Sequence, residues 1–253
     1  MSMLTKITTT EAKLMLRDPG AAFFAVIFPG FLLVALTLVL PGFADPIEEP
    51  GLPAELEGLR PVDVYVPIVL ALAIATTAFT LVPSYLSTYR ERGVLRRLAT
   101  TPAPPRDLLT AQLAVNLGLL TAGSVLAVVA GVVAFDVDWP GNVPGLLLAF
   151  VLATFASFTI GLIIAAVSPN ARVAQGIGMV VYFPMLFFAG VWTPGPTMPD
   201  TLRTIADFSP IGAASEAMLD AWLGDWPTGL HLAVLAGWAV AASVAATKLF
   251  RWE

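Results

Sequence analysis

Cysteine is absent from the 253 residues, histidine occurs once, at His231, and lysine only three times. Without cysteine there is no disulfide and no thiolate metal site. One histidine rules out a histidine-rich metal cluster. A Ser/His/Asp or Cys/His catalytic set cannot be assembled from so little. None of Lys6, Lys13 and Lys248 is followed by Ser or Thr. The phosphate-cradling pattern G-x-x-x-x-G-K-[ST] is therefore missing, and the chain has no usual means of binding ATP. Charge is scarce as well. Only 12% of residues are charged and 57% are hydrophobic, against about 25% charged in a soluble domain. Too little polar surface remains for water, so the composition describes an integral membrane protein.

A membrane-spanning helix needs about 20 apolar residues. Six stretches meet that length: 21–40, 66–87, 108–135, 145–167, 173–192 and 229–247, none with Asp, Glu, Lys or Arg. The third is longer than needed, so it tilts or begins in the interface. The first is too long for a signal-peptide core, and "PGFADP" after it is a weak cleavage site. Basic residues set the orientation. Eleven of them (Lys6, Lys13, Arg17, Arg90, Arg92, Arg96, Arg97, Arg106, Arg172, Lys248 and Arg251) share one side, and only Arg60 and Arg203 take the other. Both termini are expected in the cytoplasm of a multi-pass protein of the cell membrane. Most acids, Asp45 to Asp63, Asp136 and Asp138 among them, fall outside. Trp139, Trp192, Trp222 and Trp226 lie at outer span ends, as an aromatic belt would.

Small residues recur every fourth position in three spans: Gly123, Ala127 and Gly131; Ala149, Ala153, Ser157, Gly161 and Ala165; Ala233, Gly237, Ala241 and Ala245. Such ridges let helices approach closely in lipid. In an Ala- and Gly-rich chain the same spacing arises by chance, least so for the five-member ridge of span four. Pro29, Pro83 and Pro184 interrupt spans one, two and five. Each costs a backbone hydrogen bond and bends the helix, as a fixed kink or as a hinge. Uncharged spans also weigh against ion-coupled transport, which uses intramembrane acids, bases or histidine.

Three segments outside the spans have pattern. Residues 1–19 form an amphipathic helix for the inner face, with Leu4, Ile7 and Leu14 in register beside Lys6, Lys13 and Arg17. In 193–228, Ser209–Pro210 reads as an N-cap followed by proline at N1. Ile211, Ala214, Met218 and Trp222 then share a face, with Glu216 and Asp220 together on another. That predicts an amphipathic helix in, or dipping into, the outer interface. The 88–109 strip, "TYRERGVLRRLATTPAPPRDLL", holds five of the ten arginines. Arg90 to Thr100 can form a short helix, apolar at Val94, Leu95 and Leu98 and ended by Pro102, Pro104 and Pro105. Anchoring explains the charge, but it does not require this organisation.

The chain resembles the ABC-2 type permeases, membrane halves of ATP-binding-cassette exporters. The resemblance rests on the basic N-terminus, on "YRERGVLRRLATTPAPPRDLLTAQL" and on "SPNARVAQGIGMVVYFPMLFFAGVWTPGPTMPDTLRTIADFSPIGAASEAM", in that order, and on the terminal "LFRWE". It implies an all-α integral membrane fold of six transmembrane helices over residues 1–253, one domain. The N-terminal helix would lie on the inner face, and 193–228 would form a re-entrant cap. The loop at 88–109 would be the coupling loop, with Arg90, Glu91, Arg92, Val94, Leu95, Arg96, Arg97 and Leu98 meeting a cytosolic ABC ATPase. ATP and magnesium would be bound by that partner, and no cofactor, metal or catalytic residue by this chain. A second six-span half and membrane lipid would complete the assembly; no nucleic acid is expected. Phe31, Thr76, Thr77, Asn116, Tyr182 and Phe187 are candidates for the cargo path, although most phenylalanines suit lipid contact. The expected work is export of an amphipathic organic cargo of the drug or antibiotic kind. The alternatives are export of lipid-linked polysaccharide or glycolipid, or a scaffold or regulator that transports nothing.

Overall fold

The computed structural model describes residues 3–47, 58–94, 105–194 and 197–249, and among them regular structure is helical, with no strand. Helix α1 (Met3–Leu16) precedes six helices long and apolar enough to cross a membrane. These are α2 (Pro19–Val39), α3 (Pro61–Glu91), α4 (Pro105–Phe135), α5 (Val143–Val167), α6 (Ala171–Phe188) and α9 (Gly229–Leu249). Two shorter helices, α7 (Asp200–Phe208) and α8 (Pro210–Trp222), stand between α6 and α9. The bundle has a basic end, with α1, the last turns of α3 and the turn between α5 and α6. The other end is acidic and carries α7 and α8.

Helix starts follow from local chemistry. Asp18 opens α2 by accepting hydrogen bonds from the amides of Gly20 and Ala21, both 3.1 Å. Pro19 sits at N1, where the missing N–H costs nothing. Asn142 and Asn170 cap α5 and α6 through the amides of Gly145 and Val173, and Ser209 caps α8 through Gly212. The Ser209–Pro210 start is as the sequence predicts.

The prolines of α2 and α3 act with a slip in the helix ladder. One π turn, Phe23–Ile27, precedes Pro29, and another, Thr77–Leu81, precedes Pro83. Val82 N–H bonds the carbonyl of Thr77, five residues back, so Ala78 loses its ordinary donor. Phe79 loses its own, because residue 83 has no N–H. Both carbonyls are directed at glycine. A Cβ on Gly161 of α5 would overlap the Ala78 oxygen, and one on Gly178 of α6 would overlap the Phe79 oxygen. The Ala25 carbonyl of α2, left without a donor by Pro29, meets Gly123 of α4 in the same way. Contacts of the Cα–H···O type contribute about 0.5–1 kcal/mol each. Two of the three proline bends are thus seated against neighbouring helices. Pro184 lies inside α6 with no such slip.

Helix α3 is the central pillar. In its most apolar window 83% of residues are buried, against 17% to 50% in the other five spans. Lipid gives apolar side chains no reason to cluster, so close packing and small residues hold the spans together. The five-member ridge of α5 is buried throughout, as are Gly123, Ala127 and Gly131 of α4. The ridge expected on span six is not a packing face. Ala233, Gly237 and Ala241 are exposed, and α9 instead buries His231, Leu235, Ala239, Ala242 and Ala246. In so Ala-rich a helix the spacing occurs on more than one face, and spacing alone does not say which face is covered.

Helix α8 buries nearly all of its surface, and within it only Glu216 and Asp220 are half-buried. Ile211, Ala213, Ala214, Ala217 and Met218 are fully buried, and α8 packs on α3, α5 and α9. Trp222 is 5% exposed, so it belongs to the core and not to an aromatic belt, unlike the exposed Trp139, Trp192 and Trp226. The amphipathic helix at this end is α7, which exposes Ile205 and Phe208 while burying Ala206. Backbone pairing fastens the far end of α8. Gly141 N–H donates to Trp222 O and Asn142 N–H to Ala221 O, at 3.0 and 2.9 Å. The two chains come so close here that a Cβ on Gly141 would lie 2.6 Å from the Cα of Gly224.

Candidate coupling junction and transport path

At the basic end, the last two turns of α3 are gripped from two sides. On one side lie α1 and α4. The Tyr85 hydroxyl donates to Asp18 Oδ2 at 2.8 Å, and one turn later the Tyr89 hydroxyl donates to Glu11 Oε2. The Gln112 amide of α4 donates to the same Glu11 oxygen, and Asn116 donates to Gln112. Glu11 is only 6% exposed and Gln112 1%. A buried carboxylate is tolerated where hydrogen-bond donors surround it. The Tyr85 hydroxyl and, after it, the Ala21 and Gly20 amides hold the Asp18 carboxyl below its ordinary 3.8.

On the other side lies the turn between α5 and α6. The Arg90 guanidinium donates to Ala166 O at 3.0 Å, in the last turn of α5. Glu91 Oε2 accepts from the Ala171 amide at 3.3 Å, the first residue of α6. A cation at a helix C-terminus and a carboxylate at an N-terminus are each the favourable pairing with the helix dipole.

Helix α3 runs through Glu91, and Gly93 then takes a left-handed φ of 66°. The short helix expected from Arg90 to Thr100 therefore does not begin at Arg90. Arg90 and Glu91 are the end of span two, and the chain breaks direction after them. Arg92 lies in this turn and Val94 just beyond it. Leu95, Arg96, Arg97 and Leu98, the other residues expected to couple, lie outside the described residues.

The cargo-path candidates do not converge within one chain. Thr76 and Tyr182 do meet: their hydroxyls are 2.9 Å apart, bridging α3 and α6. Thr77 is buried beside Thr76, with its hydroxyl unpartnered. Asn116 belongs to the Glu11 cluster. Phe31 is 55% exposed on α2, and Phe187 stacks on Trp192 near the acidic end.

Beyond the spans, Arg60 does more than mark polarity. It pairs with Asp63 at 2.8 Å and donates to the carbonyls of Phe135 and Asp136, which close α4. The hydrogen bond to Asp63 raises its pKa further. His231 Nε2 lies 3.4 Å from Asp207 Oδ1, and Trp238 Nε1 donates to Phe208 O at 2.9 Å, tying α9 to α7.

Pattern reading missed Glu11, Tyr85, Tyr89 and Gln112. A signal was available: Tyr85 and Tyr89 lie one turn apart, and Glu11 and Asp18 are the only acids in a basic N-terminal segment.

Six apolar helices, a buried pillar and a helical insertion before the last span define a multi-pass helical membrane protein. The sequence pattern of the ABC-2 type transporter family matches residues 4–223. The chain belongs to that family. Over 235 residues it is 26% identical to a daunorubicin resistance ABC transporter permease protein of Streptomyces coeruleorubidus, covering 89% of this chain and 78% of that one. Over 113 residues it is 32% identical to ABC transporter G family member 20 of Dictyostelium discoideum, covering 45% of this chain but only 15% of that one.

Proposed function

We propose that this chain is the permease half of an ATP-driven exporter that moves an amphipathic, drug-like organic cargo outward. The observation that carries the reading is the similarity to a drug-resistance permease along nearly the whole chain. ATP and magnesium belong to a separate cytosolic ATPase, since this sequence has no phosphate-binding loop. The basic end faces the cytoplasm, on the balance of eleven basic residues against two. The ATPase docks there on the 88–109 loop.

A second six-span half completes the path. Support comes from α6, the least buried span at 17%, whose exposed face carries Gln175 and Gly176 beside Val180 and Phe183. A glutamine amide facing lipid is costly, and a partner helix removes that cost. The Thr76–Tyr182 bridge offers polar groups to cargo on the α3–α6 side of the bundle.

The test is ATP-dependent uptake of daunorubicin into inside-out vesicles holding this chain and its co-purified ATPase. Uptake above vesicles without ATP is the expected result. No uptake of daunorubicin, with uptake of a lipid-linked glycan instead, would replace the drug reading by the glycolipid one.

A further inference from the structure

Arg90 and Glu91 are adjacent, oppositely charged, and both spent on one short turn. The turn between α5 and α6 leaves free carbonyls at the end of α5 and free amides at the start of α6. Its own residues satisfy part of that set: Ser168 Oγ donates to Ile164 O at 2.6 Å, and Asn170 accepts from Val173. Span two supplies two further partners. Arg90 reaches the Ala166 carbonyl, and Glu91 reaches the Ala171 amide. Each end of the turn is therefore held by the helix that leads directly into the 88–109 loop.

We propose that Arg90 and Glu91 are positioning residues that fasten the base of the loop between spans two and three to the turn between spans four and five. A push on the loop is then delivered to α5 and α6 as well as to α3 and α4. This rests on the reading of the loop as the ATPase dock.

Three observations bear on it. First, the loop turns away immediately after the lock, at Gly93, whose left-handed φ of 66° marks the change of direction. Bending is thus placed on the loop side of the fastening and not between span two and the turn. Second, the opposite face of the same two turns is held to α1 and α4 through Tyr85, Tyr89 and Gln112. The end of α3 is a junction of five helices, with no slack on either flank. Third, the bond types suit a mechanical role. Among the described residues Arg90 and Glu91 each meet backbone and not a side chain, so these attachments do not depend on the rotamer of a partner.

The test uses the complex with its co-purified ATPase and the absence of native cysteine. Spin labels at Val94→Cys and Pro169→Cys flank the lock. Labels at Gly118→Cys on α4 and Gly176→Cys on α6 occupy positions that meet nothing within 4 Å inside this chain. In the otherwise native chain the 94–169 distance should stay narrow, and unchanged between nucleotide-free and vanadate-trapped complex. The 118–176 distance should shift on trapping. With Arg90→Ala and Glu91→Ala together, the 94–169 distribution should widen at least twofold and the 118–176 shift should fall at least twofold. Glu91→Gln keeps an acceptor oxygen and should restore the narrow distribution when Arg90 is present, a rescue that loss of folding would not give. A narrow 94–169 distribution in the double variant overturns the proposal. So does an undiminished 118–176 shift in that variant, or no shift at all in the otherwise native chain. A complex in which no ATPase co-purifies overturns the export reading, and the fastening role with it.

Discussion

A methyl group is the smallest possible side-chain addition, yet at Gly161 or Gly178 it has nowhere to go. Each would overlap a backbone carbonyl of α3, and backbone cannot swing aside as a flexible side chain can. Gly161→Ala and Gly178→Ala should each destabilise the detergent-purified protein by about 1–3 kcal/mol, the usual range for overpacking. Gly118 and Gly237 meet nothing within 4 Å. Alanine at either should leave the thermal midpoint unchanged or slightly raised, so these two serve as controls in the same melts. Asp18 gives a second residue-scale expectation. Its folded pKa is depressed, so its contribution is complete above 3.8 and is lost as pH falls through the lowered value. A nitroxide at Leu14 should report an unchanged α1 from pH 8 to pH 5 and loosening only below 3.8. Asp18→Asn should reduce that acid transition.

At the scale of elements, the ends of helices carry most of the information. Span two ends because Gly93 adopts a conformation that costs other L-residues about 1–2 kcal/mol. Gly93→Asn should be tolerated, since asparagine visits that region readily, while Gly93→Val should redirect the loop. The check is recovery of the ATPase in a pull-down: near native for Asn, reduced for Val, with insertion of both unchanged. The spans themselves were legible, because twenty apolar residues without charge have one use. The α8 start was legible too, because Ser209 and Pro210 are local signals. The face of α9 was not, since Ala233, Gly237 and Ala241 carry the same spacing as a true ridge, and only neighbours decide which ridge is covered. Arg90 and Glu91 were legible as charges but not as caps. Their partners are backbone atoms more than seventy residues away, which no sequence pattern reports. Glu11 was hidden for a related reason: an acid in a basic segment reads as a minor correction to net charge until Tyr89 and Gln112 are seen around it.

For the whole molecule the leading expectation is topology. Cysteine at Asp138 or Asp200, exposed at the acidic end, should react with a membrane-impermeant thiol reagent added to intact cells. Cysteine at Pro169, at the basic end, should react only after lysis. Labelling of Pro169→Cys in intact cells would invert the orientation and remove the loop from any cytosolic ATPase. Since the native chain has no cysteine, each reading comes from one site without background.

The two donorless carbonyls of α3 bear on how such a bundle can move. They leave the helix from consecutive residues, about 100° apart around its axis. Each is keyed into a different neighbour, Ala78 into α5 and Phe79 into α6. Spinning α3 about its own axis would withdraw both keys at once, with the loss of about 0.5–1 kcal/mol of Cα–H···O contact for each. Spans two, four and five are thus packed as one keyed unit. Span one is keyed separately, through Ala25 to span three. At the basic end the two sets are tied together through Tyr85, Tyr89 and Gln112, so neither can turn there without the other.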